Sequence, residues 1–252
     1  MPYAPGSCGK KRPSGGVHFH GAQQKVILIT ICRGRGIVIK INRSEYFAFY
    51  SHLSGAIAAI AGLVWLLIKC GGGADRILIC MIYGLAMCGM FSFSACYHAS
   101  KRSENSVSIW RKLDHIAIFF MIAGSYTPLC YIYLTGAWRW SIILIAWGFV
   151  CAGILLKVFF IGAPRIISTI LYLLLGWLAI FPMLELWRNM PRISFFLLLG
   201  GGIVYSLGAV LYAMKRPNPF PKIFGFHEIF HLLILGGAVL HYVVINMALT
   251  PA

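Results

Sequence analysis

Near the C-terminus, Gly225-Phe226-His227-Glu228-Ile229-Phe230-His231 puts two histidines and a carboxylate at the head of an apolar run that continues to Ala248. Histidines at i and i+4 stand on one helix face, about 6 Å apart in rise, so both can reach one metal ion. A third histidine, His98, closes an earlier apolar run, and Asp114 opens the next one. Three neutral imidazoles with one coordination position left open make a common catalytic zinc shell. A carboxylate beside that shell can orient a water or take its proton, which is the role read for Asp114. Ser94 precedes His98 by four residues, on the same face, as a hydrogen-bond donor behind the ligands. The metal set read from the residues is therefore His98, His227 and His231, with Asp114 and Ser94 as catalytic residues. Each also has a plainer reading: an interfacial histidine, a helix cap, or a bond between helices.

Other histidines fit less well. His241 is fourteen residues beyond His227, about 21 Å along the axis, and is too far to share the metal. His115 neighbours Asp114 on a different face, and His52 is read as a partner behind the ligands. His18 and His20 have no third ligand nearby. His227-Glu228-x-x-His231 also satisfies the His-Glu-x-x-His pattern of zinc proteases, where the Glu is general base, so a membrane metalloprotease is a competing reading.

These residues must be positioned by elements of an unusual composition. The chain has 252 residues, of which 60% are hydrophobic and only 11% charged. Its mean hydropathy is +0.81. A soluble domain carries roughly 25% charged residues, so composition excludes that class and leaves an integral membrane protein. The formal charge of +16 does not point to nucleic acid, because the basic residues sit in gaps between apolar runs and in the N-terminal segment. That placement suits membrane topology and anionic headgroups. The eight cysteines form no Cys-x-x-Cys pair and read as small buried hydrophobes rather than a disulfide framework.

Residues 1–44 read as a basic, mostly disordered tail whose apolar runs, Val26–Ile31 and Ile37–Ile41, are too short to span. Residues 45–252 hold seven apolar runs: Tyr46–Ile68, Ile77–His98, Leu113–Leu134, Trp140–Phe160, Ile166–Leu184, Ile193–Met214 and Phe224–Ala248. Run lengths near the roughly 20 residues that cross a bilayer, without period-2 alternation, predict an all-α integral membrane protein of seven transmembrane helices. With the N-terminus inside, 17 of the 22 Lys+Arg fall on cytoplasmic segments and 5 on outer ones. This predicts a cytoplasmic N-terminus and an outside C-terminus. The same alternation carries His98, Asp114, His227 and His231 to one depth on the cytoplasmic side.

Ser94-Ala95-Cys96-Tyr97-His98 resembles the Ser-x-x-x-His motif of the hemolysin III family. Leu113-Asp114-His115-x-x-Ile118 with Ala123-Gly124-Ser125-Tyr126-Thr127-Pro128 is similar to its third-span block. Gly225-Phe226-His227-Glu228-x-x-His231 is similar to its His-x-x-x-His block. Leu175-Gly176-Trp177 and Tyr212-Ala213-Met214-Lys215 also match. The likeness covers about Glu45–Tyr242 and leaves out the tail. It implies membership of the wider progestin and adipoQ receptor superfamily, with a seven-helix fold and N-terminus inside. It also implies zinc held by His98, His227 and His231, with Asp114 holding a water on the metal, and a link to hydrolysis of lipid amides.

The function expected from the sequence is a zinc-dependent hydrolase of a lipid amide or ester, with membrane lipids as partners, in a plasma or bacterial inner membrane. The alternative is a non-enzymatic cytolysin, or a sensor of membrane state with structural zinc.

Overall fold

The computed structural model describes residues 25–31, 35–103, 108–160, 165–220 and 224–249. Among the described residues, eight α-helices follow a short hairpin: α1 Tyr46–Lys69, α2 Ala74–Ser100, α3 Ile109–Tyr133, α4 Gly136–Phe159, α5 Arg165–Gly176, α6 Met183–Asn189, α7 Arg192–Met214 and α8 Phe226–Leu249. Six of them are long and apolar enough to cross a membrane. Their outer faces carry exposed large hydrophobics such as Ile57, Ile68, Leu144 and Phe196. Rows of apolar side chains facing outward suit lipid, not water. The protein is an all-α, multi-pass membrane protein.

Most of the tail, with His18 and His20, lies outside the described residues. Two pieces of it are described: β1 Lys25–Ile31 pairs antiparallel with β2 Arg35–Ile41, in the register Lys25 to Ile41. These strands contain the two apolar runs that are too short to span. A single 3-10 turn, Arg43–Glu45, joins β2 to α1.

The fifth predicted span differs from the single run read over Ile166–Leu184. It is a pair, α5 and then α6, bent by 53° at a break. Pro182 caps α6 in place of continuing a helix, since it has no N–H to donate. A break at membrane depth exposes backbone groups that lipid cannot satisfy. Tyr126 of α3 meets this need: its hydroxyl donates to the Gly176 carbonyl at 2.8 Å and accepts from the Ala179 N–H at 2.9 Å. The indole of Trp177 donates across to Ser206 of α7 at 2.8 Å.

The start of α1 and the start of α8 meet at one end of the bundle, where His52 and His231 are 2.7 Å apart. An even number of crossings must separate them. Helices α1 to α4 and α7 supply five, so the bent pair counts as one crossing, which makes seven candidate spans among the described residues. The helix α3 is the centre of the bundle, with 67% of its apolar stretch buried against 17% for α7. It touches α2, α4, α5, α6 and α8. Gly124 on α3 faces the Ala86 side chain so closely that an added Cβ would lie 2.8 Å from it, which sets the α2–α3 approach.

Replacing Tyr126 with Phe removes both bonds that close the break. We expect a loss of about 1–3 kcal/mol of stability, read as a lower unfolding midpoint of the detergent-purified protein. An unchanged midpoint would show that the break is held by other contacts.

Candidate metal centre

Four helix ends converge at one end of the bundle. The last turns of α2 bring Ser94 and His98, one helical turn apart. The first turns of α3 bring Asp114. The first two turns of α8 bring His227 and His231, and the turn before α1 brings Glu45, with His52 two turns further on. The start of α3 is capped by Ser108, whose hydroxyl accepts from the Arg111 N–H at 3.2 Å. The start of α8 is capped twice: the Phe226 N–H donates to Asn218 Oδ1 at 3.1 Å, and the Gly225 N–H donates to Glu228 Oε2 at 2.8 Å. The second bond is half of a capping box. It engages one oxygen of the Glu228 carboxylate with its own helix end.

His98, His227 and His231 each direct a ring nitrogen to one point, and the three donor atoms lie within 4.8 Å of one another. The Nε2 atoms of His227 and His231 are 3.2 Å apart. His98 and His231 are fully buried, at 2% and 1% exposure, while His227 is half-buried. This group can hold a metal ion. The outer nitrogens of two ligands are engaged: His98 Nδ1 donates to Glu45 Oε2 at 2.7 Å, and His231 Nδ1 shares a hydrogen bond with His52 Nε2 at 2.7 Å. A proton fixed on Nδ1 leaves Nε2 with its lone pair toward the shared point. Glu45 is itself held by Lys101, whose Nζ donates to Oε1 at 2.8 Å. His52 rests edge-on against Phe91, with ring centroids 5.2 Å apart.

Asp114 is half-buried at the rim of the group, its Oδ2 3.3 Å from His115 Nδ1. The buried Ser94 hydroxyl stands beside the same carboxylate. Both residues line a cavity of about 460 Å³ together with the three histidines. His241 is outside the group, as its distance along α8 predicts, and lies against Leu198 and Tyr205 of α7. The structure thus brings His98, His227, His231, Asp114 and Ser94 together and adds His52. Glu45 was missed by sequence reasoning. Its signal was there to read: Glu45 precedes His52 by seven residues, two helical turns on one face, and is the first acidic residue of the chain.

A family model described as "Haemolysin-III related" matches residues 41–242, most of the chain and every residue of this site. The chain belongs to the haemolysin-III-related family. It is 34% identical over 203 residues to Hemolysin-3 of Bacillus cereus, an overlap of 80% of this chain and 90% of that protein. It is 33% identical over 192 residues to a Hemolysin-3 homolog of Bacillus subtilis, covering 75% and 86%. A more distant relative is the heptahelical transmembrane protein ADIPOR2 of rice, 31% identical over 186 residues, covering 67% and 80%. Family and fold together make this a multi-pass protein of a cell membrane.

Exchanging Glu45 for Ala leaves His98 Nδ1 without its acceptor. Metal affinity should fall about 10- to 100-fold, measured by competition with a chelator on the purified protein. Unchanged affinity would show that Glu45 does not orient His98.

Proposed function

We propose that this haemolysin-III-related protein is a zinc-dependent hydrolase acting on an amide or ester of a membrane lipid, with its site toward the cytoplasmic side. One observation carries the reading: the histidine group opens into a cavity that continues through the apolar interior. The cavity is lined along α3 from Asp114 to Cys130, sixteen residues or about 24 Å of helix. Met121, Leu129 and Leu198 line its inner part. An acyl chain fits such a channel, and its polar linkage would then lie at the histidines.

The donor set supports zinc. Two imidazole nitrogens each about 2.05 Å from one tetrahedral ion lie about 3.3 Å apart, close to the 3.2 Å between His227 and His231. A zinc ion held there supplies Lewis acidity toward a carbonyl and acidifies water at neutral pH. The rest is work for the chain's own side chains. Asp114 accepts the proton of the attacking water and returns it to the departing amine or alkoxide, and Ser94 steadies that carboxylate by donating to it. Glu45 and His52 hold the imidazoles of His98 and His231 in the ligating tautomer. The apolar walls exclude bulk water, so that each of these interactions is stronger than in solution.

The Bacillus relatives carry haemolysin in their names, which favours a second reading, cytolysis independent of the metal. One variant separates the two. Asp114→Asn should retain the metal and lose at least about 100-fold in hydrolysis of a labelled N-acyl lipid. Hydrolysis undiminished in that variant would exclude Asp114 as the base. Haemolysis that persists in a chain lacking both His98 and Asp114 would favour cytolysis.

A further inference from the structure

The inward stripe of α4 runs Ile143, Ala146, Val150, Gly153 and then Lys157, at the three- and four-residue spacing of one helix face. Lysine is the wrong residue for the end of an apolar stripe unless something anionic meets it. At the end of a membrane helix, a lysine ordinarily extends outward to the headgroups. Its neighbours Phe159 and Phe160 do face outward, at 70% and 65% exposure, but Lys157 is only 2% exposed. Its Nζ donates to the buried Ser168 hydroxyl of α5, one of the three bonds an ammonium can make. No carboxylate pairs with it among the described residues. The nearby charge is another cation, Arg111, which precedes Asp114 by one turn of α3. Lys157, Ser168, Arg111 and Asp114 all line the same cavity.

A buried ammonium that no described carboxylate pairs, beside a guanidinium, is costly, and an anion in the cavity would relieve it. The place is the mouth of the channel, on the same end of α3 as Asp114, so the anion belongs to the head of whatever fills the channel. Ammonium, guanidinium and hydroxyl donors together suit a group with more acceptor oxygens than a carboxylate offers. We propose that Lys157, with Ser168 and Arg111, forms a subsite for a phosphate group carried by an amphiphile whose chain enters the cavity. This names a substrate class for the proposed hydrolase and rests on that reading for catalysis, though the binding itself needs no metal.

The test uses the intact chain in detergent, with phosphatidic acid, diacylglycerol of the same acyl chains, and inorganic phosphate as probes, binding being followed by native mass spectrometry. The wild type should prefer phosphatidic acid by about tenfold or more, the worth of one charge-assisted bond. Lys157→Met should erase that preference and Lys157→Arg should keep most of it. Ser168→Ala, a milder change, should weaken it several-fold, and serves if the methionine variant does not fold. Equal binding of both lipids to wild type, or a full preference in the Met and Ala variants, would overturn the subsite. Inorganic phosphate bound as tightly as phosphatidic acid would assign the site to a free anion and overturn the lipid proposal. His231→Ala should leave the preference intact. A chain without metal but with the preference would defeat the hydrolase reading alone, and a metal-loaded chain without the preference would defeat the subsite alone.

Discussion

Three imidazoles gathered within one membrane protein, their ring nitrogens within 4.8 Å of one another, can hold a cation between them. Buried polar groups of this kind are kept only where they find partners. The protein keeps the arrangement and invests further polar groups in it. Glu45 and His52 hold two of the three rings from behind, and Lys101 holds Glu45. A chain whose only concern was packing would place apolar side chains at these positions.

The helical frame is what gathers these groups. The ligands come from α2 and α8, the carboxylate from α3 and the supporting groups from the start of α1, so four helix ends must arrive at one level. Alternating spans do this without a dedicated domain, provided the bent α5–α6 pair crosses once. Tyr126 is therefore tied to the site at a distance: by satisfying the broken backbone it lets an irregular segment stand as a span. The same bend borders the channel, since Gly176, Trp177 and Ala179 line it. Histidine group, cavity and broken helix border one another.

Much of this was legible in the chain itself. Apolar run lengths placed most helices to within a few residues, because transfer to lipid is what hydropathy measures. The i, i+4 histidines and the alternation of spans brought His98, Asp114, His227 and His231 to one level before any coordinates. The break near Gly176 to Pro182 was not legible, because it lies within an uninterrupted apolar run and depends on a tyrosine fifty residues away. Glu45 was passed over although its spacing from His52 pointed to it; only its pairing with His98, on another helix, lay beyond the sequence. Lys157 was counted among the loop cations that set orientation, since sequence records a charge at a helix end but not which way it turns.

The central claim is that the three histidines hold one metal ion. Elemental analysis of the detergent-purified protein, wild type beside His227→Ala, tests it most directly. About one zinc per chain in the wild type, lost in the variant while the protein stays folded, is the predicted result. Wild-type protein prepared without chelators that carries no metal, or a variant that keeps full occupancy, would contradict it and return the histidines to packing between helices.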